Sequence, residues 1–242
     1  MQSALYVGLS AQVALEKRLQ TIANNVANVN TAAFRTDVVK FETVLSRAGT
    51  SPVAFSTPGD NIISREAGNL SETGNPLDVA VVGQGWLAFA GPSGTVYTRD
   101  GRMQIATNGD LQTLTGFPIV DSGGAQVTVD PSGGPLSIAR NGAITQDGSE
   151  VGTLGLFNIP PETNLQRYGN SGVIPDGPAS AIADFTKDGF RQSYVEGSGA
   201  NPMLELTRLM SASRAFEGTN SLIEGTEGTL QNAIRTLGEP AK

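Results

Sequence analysis

The sequence contains no cysteine and no histidine in its 242 residues. Structural zinc, haem and iron–sulfur centres usually take thiolate or imidazole ligands, and triads of the Ser-His-Asp kind need an imidazole. We therefore expect no metal, no cofactor and no His-based catalysis. The absence of cysteine also suits a chain that crosses a membrane unfolded, because no thiols can mispair.

Basic residues are also few, since 16 Lys and Arg face 23 Asp and Glu and the net charge is −7 at pH 7. Binding to nucleic acid needs a basic face that releases counterions, so we expect no nucleic-acid partner. Aromatic residues make up 6%, whereas there are 30 Gly and 13 Pro. This composition favours short strands and many turns over a large aromatic core.

Long apolar segments are missing as well. No stretch approaches the roughly 18 consecutive apolar residues of a membrane-spanning helix. Polar residues interrupt Leu5–Leu15, and the first basic residue is Lys17, a pattern unlike a cleaved signal peptide. We expect no direct membrane insertion, and either a cytoplasmic protein or one exported by a route that removes no leader.

What the sequence does contain is a heptad pattern at each end. Steps of four and three place Met1, Leu5, Gly8, Gln12, Leu15, Leu19, Ile22, Val26 and Val29 on one stripe, and Leu206, Leu209, Ser213, Phe216, Asn220, Ile223, Glu227, Leu230, Ile234 and Leu237 on another. A mean period of 3.5 residues is typical of helices paired in a coiled coil. Asn201-Pro202 is a favourable start for the second helix. Its Gly218, Gly225 and Gly228 each cost about 1 kcal/mol relative to alanine, so packing against the first segment or against other copies must stabilise it.

Four asparagines, Asn24, Asn25, Asn28 and Asn30, mark the end of the N-terminal helix, because asparagine competes with the backbone for hydrogen bonds. Asn24 and Asn28 lie one helical turn apart and could bond laterally to a neighbouring chain. The alternative is ordinary capping of the helix C-terminus. When these asparagines are considered together with the C-terminal heptads, lateral contact between subunits is the favoured interpretation of their role.

The middle of the chain is predicted to be β-structure. Residues 36–75 have a loose pattern and indicate an extended connector. From residue 76, Asp-Gly or Asn-Gly pairs recur at 100–101, 108–109, 141–142, 147–148 and 188–189. Such pairs supply the positive φ angles of hairpin turns, so short strands should separate them. Residues 160–177 indicate a Pro/Gly/Asn-rich excursion.

Two patterns in this region could carry chemistry. Gly83-Gln84-Gly85-Trp86-Leu87-Ala88 fits a dinucleotide fingerprint, but that site needs a helix at the glycines, which Gly91, Pro92 and Gly94 would interrupt. The acid pairs Glu66/Glu72 and Asp184/Asp188 flank turns, where such side chains usually serve the backbone. We expect no catalytic residue and no enzyme.

Three segments resemble the axial proteins of the bacterial flagellum, which form its rod and hook. Ala23–Thr31 with Phe34-Arg35 is similar to the N-terminal motif of that family, Gly83–Leu87 to its central motif, and Val195–Pro202 with Ser211–Glu217 to its C-terminal motif. Within the family, Ala4–Leu9 and the modest length are most similar to the proximal-rod members, with the distal-rod members as the alternative. Ala32-Ala33 depart from the family pattern, which often has glycine before the aromatic residue.

The resemblance implies paired terminal helices that line the inside of a tube, a mostly β domain outside it, and no enzymatic activity. It implies a structural subunit of the periplasmic basal-body rod that assembles helically with copies of itself and with other rod proteins to transmit torque. It also implies export through the flagellar type III apparatus without a cleaved signal peptide.

We therefore predict an α+β fold with a coiled-coil helix at 1–35, an extended connector at 36–75, a β-rich outer domain at 76–194 and a second coiled-coil helix at 195–242. The predicted subunit-packing residues are Leu15, Leu19, Ile22, Asn24, Asn25, Val26, Asn28, Val29, Leu206, Leu209, Phe216, Ile223, Leu230, Ile234 and Leu237. The rival hypothesis is a secreted β-rich module that binds or cleaves glycans, which leaves both heptad segments unexplained.

Overall fold

A computed structural model describes residues 2–46 and 53–238. The chain divides into two compact units. Unit 1 comprises residues 1–27, 37–62 and 201–242, and unit 2 comprises residues 28–36 and 63–200. The α+β prediction is confirmed, because a helix precedes and another follows a long series of strands.

Unit 1 contains the two helices and a two-stranded sheet. Helix α1 spans Gln2–Ala27 and helix α2 spans Pro202–Gly238, and the two helices contact each other. Strands β1 (Asp37–Ser46) and β2 (Val53–Ile63) pair with one another, and β1 also contacts α1. Met1 and the last four residues lie outside the described part of the chain.

Helix α2 begins where its sequence predicts. The side-chain oxygen of Asn201 accepts hydrogen bonds from the backbone N–H groups of Met203 (3.1 Å) and Leu204 (3.2 Å). These bonds satisfy donors that have no partner within the helix, and Pro202 at the first position loses none. None of the helices among the described residues is long and apolar enough to cross a membrane.

Unit 2 is built from short antiparallel strands. In chain order they are β3 (Leu70–Glu72), β4 (Val79–Val82), β5 (Trp86–Gly91), β6 (Gly94–Thr98), β7 (Met103–Ile105), β8 (Leu111–Thr113), β9 (Leu136–Ile138), β10 (Ala143–Gln146), β11 (Ser149–Thr153), β12 (Leu156–Asn158), β13 (Leu165–Tyr168), β14 (Gly172–Pro175), β15 (Ser180–Ala181), β16 (Gly189–Gln192) and β17 (Tyr194–Glu196).

The largest sheet has the order β13-β14-β6-β5-β12-β15, and a three-stranded sheet has the order β11-β10-β9. Strand pairs β16-β4, β17-β3 and β7-β8 complete the unit. Among the described residues, the inward side chains form three apolar clusters, and the fully buried members of the largest include Val79, Leu87, Leu111, Ile119 and Ile144. Residues 160–177 are not a plain excursion, because β13 and β14 form a hairpin that extends the large sheet through β6.

The predicted domain boundaries cut across these two units. Helix α1 ends at Ala27, and residues 28–36 belong to unit 2. The predicted connector, 36–75, is divided between β1 and β2 in unit 1 and β3 in unit 2. As domains of an assembled protein, the boundaries 1–35, 36–75, 76–194 and 195–242 stay a prediction.

Candidate subunit-packing surfaces and a buried charge cluster

The heptad stripe of α1 is shielded from solvent along its described length. Ile22 is 5% exposed, and Leu15, Leu19 and Val26 are half-buried. Gly8, on the same stripe, lies against α2, because a Cβ placed there would be 3.2 Å from Cγ1 of Ile223. Glycine at this position therefore allows the two helices to approach closely.

The heptad stripe of α2 is shielded only in part. Leu209, Phe216 and Ile223 are half-buried, whereas Leu206 is 44% exposed and Leu237 is 87% exposed. Leu230 and Ile234 belong to this helix, but their side chains lie outside the described part. The middle of both stripes is thus shielded from solvent, whereas Leu206 and Leu237 lie at the surface.

Two of the predicted asparagines bind within the chain. The side-chain amide of Asn25 donates to the backbone carbonyl of Asp37 (3.0 Å) and accepts from its N–H (2.9 Å), as a neighbouring strand would. Asn24 donates to the Asp37 carboxylate (3.0 Å). Asn25 is 2% exposed, so these bonds hold the start of β1 against the end of α1. This use of Asn24 and Asn25 was not predicted.

The other two predicted residues at this end of the helix lie in unit 2. Asn28 accepts hydrogen bonds from the backbone N–H and the hydroxyl of Thr31, and Val29 is half-buried. They form the turn that follows α1. Contacts of Asn24, Asn25, Asn28 or Val29 with neighbouring subunits stay a prediction.

A cleft of about 360 Å³ lies inside unit 1 between α1, β1 and α2. Glu205 is buried at its base, where its carboxylate accepts hydrogen bonds from Arg208 (2.6 Å) and Asn25 (3.4 Å). Arg18, Ile22 and Phe41 also line it. The bonds to Glu205 join the first turn of α2 to the last turns of α1.

Each helix also carries an exposed apolar stripe, and of the stripe residues on the two helices only Leu206 belongs to the heptad pattern. On α1 the outer stripe is Tyr6 (59% exposed), Leu9 (52%) and Val13 (48%). On α2 it is Met203, Leu206 and Met210, and these residues have the same spacing of three and then four. Positions with that spacing share one helix face, so a second apolar pattern in the sequence could have revealed them.

Unit 1 as a whole exposes many large apolar side chains. Val38, Phe41 and Val44 of β1 and Leu204 and Leu222 of α2 add to the two outer stripes. In the described part of unit 2, by contrast, the exposed large apolar residues are Leu70, Leu114 and Val151. Contiguous exposed apolar surface marks sites of association, so unit 1 is the candidate interface.

Unit 2 contains a buried cluster of three charges. Glu196, at the end of β17, forms ion pairs with Arg35 (2.8 Å) and Arg99 (2.8 Å), and all three side chains are at most 3% exposed. The Glu196 carboxylate also accepts a hydrogen bond from the N–H of Gly68 (3.2 Å). Burial makes each charge costly unless it is paired, and here each charge has several partners.

Both arginines also donate to backbone carbonyls. Arg99 donates to the carbonyl oxygens of Gly85 and Val81, and Arg35 donates to those of Arg65 and Glu66. Desolvation by burial is the main reason why the pKa of Arg35 is lowered to about 10; the nearby Glu196 carboxylate opposes this, and the Arg99 guanidinium adds to it.

Aromatic rings flank the cluster. The guanidinium carbon of Arg35 lies 5.7 Å from the ring centre of Trp86, and that of Arg167 lies 4.6 Å from the ring centre of Phe34. These are favourable cation–π distances. The cluster therefore joins Phe34-Arg35, Gly85-Trp86 and Glu196, one pair or residue from each of the three segments whose motifs stood out in the sequence.

The segments with possible chemistry serve the fold instead. A strand, not a helix, begins at Trp86, so Gly83-Gln84-Gly85 does not present a helix N-terminus. Asp188 accepts a hydrogen bond from the N–H of Gln84 (2.6 Å), and Glu72 accepts one from the hydroxyl of Tyr194 (3.0 Å). Among the described residues, no group of three or more acidic side chains is arranged to hold a metal ion.

Comparison with known protein families finds matches in three regions, and each region contains one of the three segments. Sequence models of three families match the chain: "Flagella basal body rod protein" at residues 5–35, "Flagellar hook protein FlgE/F/G D1 domain" at residues 80–146, and "Flagellar basal body rod FlgEFG protein C-terminal" at residues 191–236.

Individual relatives match along nearly the whole length. The flagellar basal-body rod protein FlgF of Mesorhizobium japonicum is 47% identical over 98% of this chain and 99% of its own. FlgF of Rhizobium meliloti is 38% identical over the same shares, and FlgG of Agrobacterium fabrum is 29% identical over 91% of this chain and 94% of its own. The chain therefore belongs to the family of flagellar basal-body rod proteins, which are structural subunits of the flagellum and not enzymes.

Proposed function

We propose that this chain is a subunit of the proximal part of the flagellar rod and that it assembles through the exposed apolar surface of unit 1. The observation that carries the proposal is the pair of outer stripes, Tyr6/Leu9/Val13 on α1 and Met203/Leu206/Met210 on α2. Large apolar side chains in such continuous stripes are unfavourable in water, so a stable state covers them. In a rod, neighbouring subunits provide that cover.

The relatives favour the proximal position over the distal one, because FlgF is the proximal-rod protein of the family. Identity is 47% and 38% to the two proteins named FlgF and 29% to the protein named FlgG. All three alignments cover more than nine-tenths of both chains, so the difference does not arise from a missing domain. The alternative is a distal-rod position, and an experiment must distinguish it from the proximal one.

The partners are other copies of this chain and other rod subunits, met in the periplasm after export through the flagellar type III apparatus. Two features support this part of the proposal. The family is one of rod proteins, and a cysteine-free chain suits passage in the unfolded state. Subunits that repeat head to tail without closing a ring form a helical assembly, which is the geometry of a rod.

Within each subunit we propose that α1 and α2 pair through Leu15, Leu19, Ile22 and Val26 on one side and Leu209, Phe216 and Ile223 on the other. Leu230 and Ile234 would continue this seam, and Leu206 and Leu237 would contact neighbouring subunits. Introducing Asp at Ile22 or Phe216 should block assembly while unit 2 still folds, because it buries an unpaired charge in the seam. Normal motility with either variant would contradict the role of the seam.

Genetic complementation tests the outer stripe directly. In a strain that lacks the gene, the wild-type chain should restore swimming and the Leu9→Asp/Val13→Asp chain should not, because the two charges cannot be covered by an apolar neighbour. The matched control is Val151→Asp, which also introduces a charge at an exposed valine but in unit 2. Full swimming with the double variant, or equal loss with the control, would remove the proposed interface.

The position in the rod needs a separate observation. Basal bodies purified from the complemented strain should contain this chain, and basal bodies from the deletion strain should lack it. If the chain carries a tag, an antibody against the tag that binds at the end of the rod nearest the cell would support the proximal position. Binding at the hook end would assign the chain to the distal rod.

A further inference from the structure

The chain passes between unit 1 and unit 2 at four places: 27/28, 36/37, 62/63 and 200/201. Force that travels along the chain from one unit to the other must enter unit 2 through the segments that begin or end there. Those segments are residues 28–36, the stretch from Ile63 and the stretch before Ala200. What holds them to one another inside unit 2 decides how unit 2 responds to force.

Backbone bonds within unit 2 tie these three segments together. The N–H of Ala33 donates to the carbonyl of Glu196 (2.8 Å), and the N–H of Gly199 donates to the carbonyl of Phe34 (2.8 Å). The N–H of Ser64 donates to the carbonyl of Thr36 (2.8 Å). Every segment is therefore bonded to another one within a few residues of the place where the chain leaves unit 2.

The side chain of Glu196 lies at the centre of these bonds. One carboxylate oxygen accepts from Arg35 (2.8 Å) in the first segment and from Gly68 (3.2 Å) in the second, and the other accepts from Arg99 (2.8 Å). Arg99 in turn donates to the carbonyls of Gly85, just before β5, and Val81, within β4. Glu196 thus connects all three connecting segments to strands of the core.

Close packing leaves this arrangement no room to slide. A Cβ on Gly68 would lie 2.1 Å from the carbonyl oxygen of Gly197, and a Cβ on Gly199 would lie 3.1 Å from that of Glu66. The backbones of the second and third segments are therefore in direct contact. Phe34, which is 1% exposed, fixes the first segment beside them.

We propose that Glu196, paired with Arg35 and Arg99, is a positioning residue for force transfer: it anchors the chain connections of unit 2 to one another and to the core. Force that reaches any one connection is then shared among several strands. Without the anchor, the same force peels away one segment at a time. The mechanical role rests on the proposed rod function, whereas the anchor itself is a property of unit 2 that can be measured in the purified chain.

Amide hydrogen exchange on the full-length chain tests the anchor. The N–H of Gly197 donates to the carbonyl of Asn69 (2.8 Å) and, like those of Ala33 and Gly199, joins two of the segments. In the wild type, these three N–H groups should exchange as slowly as those of the β5–β6 ladder. Exchange of these three groups at the rate of exposed turns would overturn the proposal. This comparison requires no substitution, so it does not depend on a variant that folds.

Substitution then asks whether Glu196 is responsible. Glu196→Gln leaves two buried guanidinium groups without their carboxylate, and loss of one partner of a buried ion pair is strongly destabilising. We expect the three amides to exchange at least a hundredfold faster while those of β5–β6 stay within about threefold. If Glu196→Gln does not fold, Arg99→Lys replaces it as the test. This variant keeps the charge but cannot form the forked contacts, so the exchange rate of the same amides should rise at least tenfold.

The control is Asp100→Asn, which removes the ion pair with Arg102, whose side chain is 37% exposed. Both side chains of this pair are partly exposed, with Asp100 at 18%, so its loss costs less than loss of the buried cluster, and the three amides should keep their rates within about threefold. Equal acceleration of all amides of unit 2 in Glu196→Gln would mean that the cluster is an ordinary part of the core, and no acceleration would mean that it anchors nothing. Either result overturns the proposal.

A cellular readout separates the anchor from the rod function. With Arg99→Lys present in basal bodies at the wild-type amount, swimming speed should fall more steeply with rising viscosity than with Asp100→Asn. Parallel speed curves would overturn the mechanical role. Absence of even the wild-type chain from basal bodies would overturn the rod function but leave the exchange result intact.

Discussion

Replacing Phe34 by alanine tests the finding that residues 28–36 belong to unit 2 and not to the N-terminal helix. Phe34 is 1% exposed, its ring contacts the guanidinium of Arg167, and its carbonyl accepts a hydrogen bond from Gly199. Truncating a fully buried phenylalanine costs about 3–5 kcal/mol through lost burial and the cavity left behind. The cost should appear in the unfolding of unit 2.

The chain provides a probe for that transition, because its single tryptophan, Trp86, is 3% exposed in unit 2. With a urea dependence of about 2 kcal/mol per molar, the midpoint followed by tryptophan fluorescence should fall by about 1.5–2.5 M in Phe34→Ala. Both helices lie in unit 1, so the helical signal in circular dichroism at 222 nm reports the unfolding of unit 1.

Phe41→Ala is the matched control, since Phe41 is 44% exposed on β1 in unit 1. Its tryptophan transition should coincide with that of the wild type. The reasoning fails if Phe34→Ala lowers the stability of unit 2 by less than about 1 kcal/mol. It also fails if Phe41→Ala shifts the tryptophan transition equally.

Three further substitutions probe other parts of the chain. Asn25→Ala removes both bonds to the backbone of Asp37 and should cost about 2–3 kcal/mol locally, so the backbone amide of Asp37 should exchange at least tenfold faster. Substitution of the exposed Asn30 by alanine is the control and should leave that rate unchanged. Gly101→Ala would place a Cβ 1.8 Å from the carbonyl oxygen of Val79, and we expect loss of the tryptophan unfolding transition, whereas Gly123→Ala, with its nearest contact at 3.3 Å, should retain it. Gly225→Ala has open space around it and should stabilise α2 by about 0.5–1 kcal/mol, seen as a stronger 222 nm signal; a weaker signal would show that the chain needs glycine there.

The helices could be predicted from the sequence because their evidence is local. The Asn-Pro start of α2 and the heptad stripe of α1 depend on residues a few positions apart. Helix α2 begins at the predicted proline, and the α1 stripe is shielded from solvent, although its role in packing stays a prediction. Helix α1 ends at Ala27, within the asparagine cluster that marked the helix end in the sequence, whereas the predicted coiled-coil segment continued to residue 35. Residues 28–36 are held by Glu196 and Gly199, more than 160 positions away, and no local pattern contains such a contact.

Ala33 shows the same limit. It has a φ of +54°, in the left-handed region that favours glycine, and it is fully buried. Members of the family often have glycine near this position. The turn of this chain has a left-handed residue here even though that residue is alanine.

The turn glycines were predicted correctly but not always for the right reason. Gly109, Gly142 and Gly148 have positive φ, as expected of hairpin turns. Gly101 and Gly189 do not, and each lies instead against another backbone or side chain with no room for a Cβ. Sequence alone cannot distinguish these two needs for glycine, because close approach depends on how strands pack.

The outer stripes of unit 1 were missed for a different reason. The helices are apolar on more than one face, and a heptad search selects the most regular face only. Leu206 was assigned to the seam by its spacing, yet it lies on the outer face with Met203 and Met210. Burial was needed to separate a face that packs within the chain from one that remains available to another subunit.

Cysteine labelling tests the central claim, that the outer stripe of α1 is covered when the chain assembles into a rod. The chain has no cysteine of its own, so Leu9→Cys and, as a control in unit 2, Val151→Cys each introduce a single thiol. In the purified monomer both thiols should react rapidly with a maleimide. In purified basal bodies we predict that labelling at position 9 falls at least tenfold relative to labelling at position 151; equal labelling at position 9 in both states, or absence of the chain from basal bodies, would contradict the account.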